Sequence, residues 1–263
     1  MALISIILTT YNRKELVTET INSILSQSFQ DFELIIVDNF SNYDFFSLIE
    51  LFNSSKIKAF QNDNEGIIAV NRNFGIKNST GKLLAFCDDD DLWNVDKLEK
   101  QLIVYYKNSK EFTKLVIHSN TLLFKTNTES YRKTRKSEIK DFNDFILNNQ
   151  ISLSTSFVEK NDDIFFNENP GLVASEDFNL WVELYMKGYK FILIEEALVK
   201  YRVSNSSISS NKREFNSIRY LHVIFRNIAK FNYTEFNFLF FIFKINLLAL
   251  KYFLINKFFK VNN

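Results

Sequence analysis

The chain has 263 residues, 46% of them hydrophobic, and a formal net charge of +1. That apolar content sustains a packed core and excludes general disorder, while the near-neutral balance excludes a chain-wide electrostatic partner such as duplex DNA, so no nucleic-acid partner is expected. Cys87 is the sole cysteine, which rules out an intramolecular disulfide framework and a cysteine-rich zinc site and fits a reducing, cytoplasmic setting.

The opening MALISIILTTYNR lacks a basic leader and a small-residue cleavage site, and its apolar run is too short to span a bilayer. It reads as a buried strand, LISIILT, followed by a helix in which Val17, Ile21, Ile24 and Leu25 recur at helical spacing. FELIIVD is a second strand ending at Asp38, KIKAFQN a weaker third, GIIAVNRNFGIKNS a helix, and KLLAFCD a fourth strand. Short apolar runs alternating with helices are the pattern of a doubly wound, mostly parallel sheet.

The charge-rich stretch from Lys125 to Lys140 reads as a loop or lid. After it come ISLSTSFVEK, a helical segment beginning in ASEDFNLWVELYMKG, and two strand-like runs, KFILIE and ALVKYRV. From Ser204 the character changes. SNSSISSN resembles a linker, and Lys212, Arg219, Arg226 and Lys230 then interleave with Phe215, Ile218, Leu221 and Phe225 as a basic amphipathic helix. The last segment, FNFLFFIFKINLLALKYFLINKFFKVNN, is apolar but interrupted by Lys244, Asn246 and Lys251, which disfavours a membrane span and favours an interfacial position. The division expected is a domain over 1–205 and a helical, basic and apolar extension over 206–263.

In an open α/β sheet, ligands gather beyond the carboxyl ends of the strands. Thr9 to Arg13, Asp38 to Asn39 and Asp88 to Asp91 all fall at such ends, so three distant stretches converge on one edge. In AFCDDDDLW, four adjacent carboxylates repel one another and call for a nearby cation. A hard divalent ion with oxygen ligands, bridging a departing diphosphate, is the chemistry that needs such a cluster.

Several of these residues also carry plain structural readings. Asn12 with Glu15 three residues on forms a capping box, Asp38 can cap a helix, Ser175 can cap the helix that Glu176 and Asp177 open, and Asn94 can cap the helix after the acidic run. Gly75 allows close helix packing and Gly66 a turn. His118, with no second ligand nearby, Cys87 and Trp181 read as core residues.

SIILTTYNR, ELIIVDNFS, NEGIIAVNRNFGIKNSTGKLLAFCDDDDLW and SEDFNLWVELYMKG resemble, in order and spacing, the successive signatures of glycosyltransferase family 2. The resemblance covers residues 3–200. It implies the A-type, Rossmann-like nucleotide-diphosphosugar transferase fold and inverting sugar transfer from a nucleotide donor, with UDP favoured. By that resemblance Thr9, Tyr11, Arg13, Asp38, Asn39, Arg72, Asp88 and Asp89 hold the donor nucleotide, Asp90 binds Mn²⁺ or Mg²⁺, Asp177 is the general base, and Glu176 supports the acceptor side. Asn39 departs from the two acids that many relatives carry at this point, which leaves the base less defined, since an amide reads more than one donor–acceptor pattern.

The expected partners are a nucleotide-sugar donor and a saccharide or lipid-linked acceptor of cell-surface polysaccharide or glycolipid synthesis, with the extension meeting the cytoplasmic face of a membrane. Two rivals stand beside this reading: a metal-dependent phosphohydrolase using Asp88 as nucleophile, and a binding module that keeps the fold without catalysis.

Overall fold

The computed structural model describes residues 2–125, 128–132, 142, 145–146, 151–203 and 213–231. Strand β1 (Ile4–Thr10) is followed by α1 (Lys14–Leu25), β2 (Phe32–Asp38), α2 (Phe45–Glu50), β3 (Ile57–Gln61), α3 (Ile68–Lys77) and β4 (Leu83–Asp88). These four strands pair in parallel in the order β3-β2-β1-β4. The register sets Thr9 between Val37 and Asp88, and Thr10 beside Asp38, so the strand ends are level.

β1 and β2 are buried along their whole length because helices cover both faces. Alternate residues divide between two cores. Ile7, Ile35, Val37, Leu84 and Phe86 pack with α3 on one face. Ile6, Leu8, Leu34, Ile36, Ala85 and Cys87 pack with α1 on the other. Each buried aliphatic contributes about 1.5–3 kcal/mol, so the all-apolar strands specify the central position they occupy. Gly75 of α3 permits its close approach to the sheet, since a Cβ there would lie 2.6 Å from Ile7 Cγ2. Gly66 turns the chain at φ +81.

Past the acidic run, β5 (Leu92–Trp93) and α4 (Lys97–Asn108) lead to β6 (Leu115–Lys125) and β7 (Thr128–Arg132). β8 (Phe157–Glu159) lies antiparallel between β4 and β6, and β9 (Lys190–Arg202) runs parallel to β6 and antiparallel to β5. The parallel arrangement read from the sequence thus holds for the first four strands, while the second half is mixed. KFILIE and ALVKYRV form one strand, β9, whose register against β6 jumps from Ile194 to Ala197 and leaves Glu195 and Glu196 bulged. β7 occupies part of the expected 125–140 loop, and most of that stretch lies outside the described residues.

Helix α5 (Glu176–Met186) buries Phe178, Leu180, Trp181, Val182 and Leu184. Helix α6 (Arg213–Phe231) packs on it through Val223 and Ile224, a buried Asn227 Nδ2 that donates to Asn179 Oδ1 at 3.0 Å, and an ion pair of Lys230 with Glu183 at 3.0 Å. The buried stripe of α6 therefore runs through 223, 224 and 227, and Phe225, assigned to the apolar stripe from sequence, is 41% exposed. Among the described residues no helix is long and apolar enough to cross a membrane. The apolar segment after Phe231 lies outside the described residues.

Three expected caps take other partners. Asn12 has φ +54 and lies outside α1; its N–H donates to Ser41 Oγ at 2.8 Å and its Oδ1 accepts from Asn42 N at 2.7 Å, so it ties the β1 loop to the β2 loop. Asn94 donates to the Ala197 carbonyl at 2.8 Å, joining β5 to β9. Ser175 directs its hydroxyl to the Leu172 carbonyl at 3.0 Å. Each side chain finds a tertiary or preceding-turn partner in place of the free helix N–H groups.

Candidate active site

The acidic run sits where β4 ends, at the level edge formed by β1 and β2. Two arginines from different helices close on it. Arg13, just ahead of α1, sends Nη1 to Asp89 Oδ1 and Asp90 Oδ2, both at 2.9 Å. Burial works against the Arg13 charge, but Asp89 and Asp90 outweigh it and hold its pKa above the ordinary value. Arg72, buried in α3, pairs through Nη2 with Asp88 Oδ1 at 2.9 Å and through Nη1 with Glu176 Oε1 at 2.5 Å. Its guanidinium also lies 5.3 Å from the centre of the Phe166 ring.

The four aspartates occupy four environments. Asp88 takes its main-chain bearing from Ser154, whose Oγ accepts the Asp88 N–H at 3.0 Å. Asp89 accepts from Thr10 Oγ1 at 2.8 Å; burial nevertheless pushes its pKa up to about 6, against the pull of Arg13. Asp90 is half-buried, and burial followed by repulsion from Asp88 raises its pKa. Asp91 is fully buried, and burial with Asp88 and Asp90 raises it well above the carboxylate range. Three of the run's members, Asp88, Asp89 and Asp90, thus face arginines at the edge, while Asp91 is buried in the protein.

Asp38 is wholly buried at the end of β2, with Oδ2 accepting from Ser41 N and Gln61 Nε2, each at 2.9 Å. It caps no helix; Asp44 caps α2, accepting from Ser47 N at 3.0 Å. Asn39 Oδ1 accepts from Asn64 N at 2.9 Å. Tyr11 is 54% exposed just beyond β1, a ring free to meet a ligand at the edge.

Asp177 stands in the first turn of α5, partly exposed. Burial first, and then the neighbouring Glu176, raise its pKa from 3.8 to about 7, against the opposing charge of Arg72. Asp88 acts on the same carboxyl, so α5 and the acidic turn share one electrostatic site although they lie far apart in sequence. The structure therefore brings together Arg13, Arg72, Asp88, Asp89, Asp90, Glu176 and Asp177 in one connected set. Thr9, Tyr11, Asp38 and Asn39 line the adjoining ends of β1 and β2.

Four contributors escaped the sequence reading. Thr10 and Ser154 support the acidic run, Phe166 lies under Arg72, and Arg202 closes the run from β9. Only Arg202, a cation at a strand end, carried any signal. His118 is buried with its pKa lowered to about 4 by burial, and Cys87 and Trp181 are core residues, as expected. A groove of about 790 Å³ between α3 and residues 160–168 is lined by residues such as Asn62, Phe74, Lys77 and Phe165 and includes none of the acids above.

For a cation, the edge offers carboxylate oxygens, the donor type that suits Mg²⁺ or Mn²⁺. The repulsion that raises Asp90 is the condition a divalent ion would reverse. Among the described residues no group of three or more His, Cys, Asp and Glu side chains is arranged to cage an ion.

A parallel α/β half with acids and arginines gathered at its carboxyl edge has its ligand site where open α/β sheets place one. The family model described as "Glycosyl transferase family 2" matches residues 5–159, and the chain belongs to that family. WfgD of Escherichia coli, a UDP-Glc:alpha-D-GlcNAc-diphosphoundecaprenol beta-1,3-glucosyltransferase, is 30% identical over 80% of this chain and 81% of its own length. WfaP of the same species, also a UDP-Glc:alpha-D-GlcNAc-diphosphoundecaprenol beta-1,3-glucosyltransferase, is 29% identical over 81% of this chain and 82% of its own length. Residues 1–349 of Staphylococcus aureus TarS, solved with UDP, superpose with a TM-score of 0.66 at 22% identity, over 87% of this chain and 65% of that one, a likeness of fold. Membership of the family removes the phosphohydrolase reading, and Asp88, its proposed nucleophile, is held by Arg72.

Proposed function

We propose that the protein transfers a sugar from a UDP-linked donor to a hydroxyl of a lipid-linked acceptor in cell-surface polysaccharide synthesis, with inversion at the anomeric carbon. The observation that carries this reading is the position of Asp177: a carboxyl with its pKa near 7, in electrostatic contact with Arg72 and Asp88 of the donor edge. A base poised near the working pH is what removal of a hydroxyl proton requires.

In the reaction, a lone pair of the acceptor hydroxyl attacks the anomeric carbon while the bond from that carbon to the diphosphate oxygen breaks. The diphosphate leaves with the bonding electron pair, and Asp177 takes the hydroxyl proton. Attack from the face opposite the leaving group turns an α-linked donor into a β product. In this reading Arg13 meets the diphosphate, and Tyr11, Asp38 and Asn39 receive the nucleoside. Glu176 fixes Arg72 beside the base, and Asp88 and Asp89 shape the donor edge. Asp90 would hold Mn²⁺ or Mg²⁺, whose positive charge offsets the charge growing on the diphosphate.

The lipid-linked acceptors of WfgD and WfaP, together with the Lys- and Phe-rich sequence after Phe231, support action at the cytoplasmic face of a membrane. Binding to vesicles of anionic lipid at low salt tests this, and its absence would overturn it.

The decisive experiment is Asp177→Asn. With a panel of UDP-sugars and a lipid-linked acceptor, transfer should fall by about 10²- to 10⁴-fold, while UDP binding in Mn²⁺ stays as in the wild type. Undiminished transfer would refute the assignment, and a wild type that binds no UDP would refute the donor class.

A further inference from the structure

We propose that Arg202 is the positioning residue of the acidic turn, the group that fixes the Asp90 main chain so that its carboxylate can serve a divalent cation. The inference rests on the donor-site reading above and adds a residue that neither the sequence motifs nor the mechanism used.

Arg202 is the last residue of β9 and makes contacts in three directions. Its Nε donates to the Asp90 carbonyl at 3.0 Å. Its backbone N–H donates to Asp91 Oδ1 at 3.2 Å. Its Nη2 pairs with Glu19 of α1, and its guanidinium carbon lies 4.6 Å from the centre of the Phe124 ring on β6. One planar cation thus joins α1, β6 and β9 to a turn that belongs to none of them. The side chain is only 15% exposed, so it is held in place while it holds the turn.

The turn needs this support. Four consecutive carboxylates, with Asp89 and Asp91 buried, repel one another at close range, so electrostatics alone would splay the run. Arg13 opposes the splaying by gripping the Asp89 and Asp90 carboxylates, the same atoms a cation would use. Arg202 opposes it through a main-chain carbonyl and through Asp91, and reaches the Asp90 carboxylate by charge alone, with its hydrogen bonds made elsewhere. Of the two arginines it is the one whose role survives when a metal takes that carboxylate. A lysine could not reproduce it, because a point charge cannot keep the flat contact with Phe124 while bonding the carbonyl and Glu19.

The test measures UDP binding by calorimetry at graded Mn²⁺ and in EDTA for the wild type, Arg202→Gln and Glu19→Ala, each at matched folded fraction. Arg202→Gln should raise the Mn²⁺ concentration for half-saturation about 10- to 100-fold, the usual effect of losing a group behind a metal ligand, and leave the EDTA affinity for UDP unchanged. Glu19→Ala, which removes only the exposed far anchor, should shift it in the same direction by about two- to fivefold. An unchanged half-saturation in Arg202→Gln overturns the proposal, as does an equal loss with Mn²⁺ and with EDTA, which would mark a nucleotide contact or general loosening. If Arg202→Gln does not fold, Glu19→Ala decides alone: no shift overturns the proposal. A wild type whose UDP binding ignores Mn²⁺ defeats the metal reading itself, a result distinct from any of these.

Discussion

Arg72 grips Glu176 at 2.5 Å with one nitrogen and Asp88 at 2.9 Å with another, joining the helix that carries Asp177 to the strand that carries the acidic turn. The residues it bridges are 104 and 16 positions away in sequence. The bond to Glu176 is buried, so its partners depend on each other for charge compensation.

Arg72→Ala should therefore cost about 3–5 kcal/mol of stability, because it leaves a buried Glu176 carboxylate unpaired. Adding Glu176→Gln should recover part of that loss. Urea denaturation of the two single variants and the double variant gives the coupling energy, and strictly additive losses would show that the pair is not a unit.

The raised pKa of Asp177 predicts both a rate profile and a stability profile. As a base it works ionised, so the acceptor-dependent rate should rise with pH through about 7, and Asp177→Asn should lack that limb. For stability the sign is opposite. A carboxyl whose folded pKa lies above its ordinary 3.8 supports the fold while neutral, and that support is lost as pH rises through about 7. Asp177→Asn should consequently melt higher than the wild type at pH 8, by about 2–4 °C for each kcal/mol gained, and match it near pH 3. Melting curves at the two pH values check the difference.

Asp90→Asn should separate stability from function. Burial and Asp88 both disfavour its charge, so the neutral amide should raise the melting temperature in EDTA at neutral pH. The same change should abolish any Mn²⁺-induced gain in UDP affinity. Thermal shift with and without Mn²⁺ and UDP reads both effects.

Gly81→Ala tests the strand that delivers the acids. A Cβ at Gly81 would lie 2.6 Å from the Ser5 backbone nitrogen, which cannot move without disturbing β1. A loss of about 1–3 kcal/mol is expected. Gly75→Ala should cost less, because the atom it meets is a side-chain methyl of Ile7. Chemical denaturation of the two variants ranks them.

The first four strands and the helices between them were legible because their apolar residues recur at periods of two and 3.6, and because strands buried on both faces need continuous apolar runs. The acidic run and Arg13 were legible as candidates because adjacent carboxylates and a cation at strand ends call for a ligand, whereas Arg72 and Asp177 were legible through the resemblance of their motifs to the family's. What stayed hidden was pairing. β8 is three residues long and is a strand only because it fits between β4 and β6, so no local pattern announces it.

By itself, the sequence determined which residues must be inside and which chemistry the edge can perform, since burial and charge are properties each side chain brings with it. Only tertiary structure decided the partners. Asn12, Asn94 and Ser175 left their expected caps for other partners, Arg72 spanned two distant acids, and Arg202 reached across from the far half of the sheet. The reason is physical: a buried polar group takes whichever partner the packed chain brings within about 3 Å, and sequence separation has no bearing on that distance.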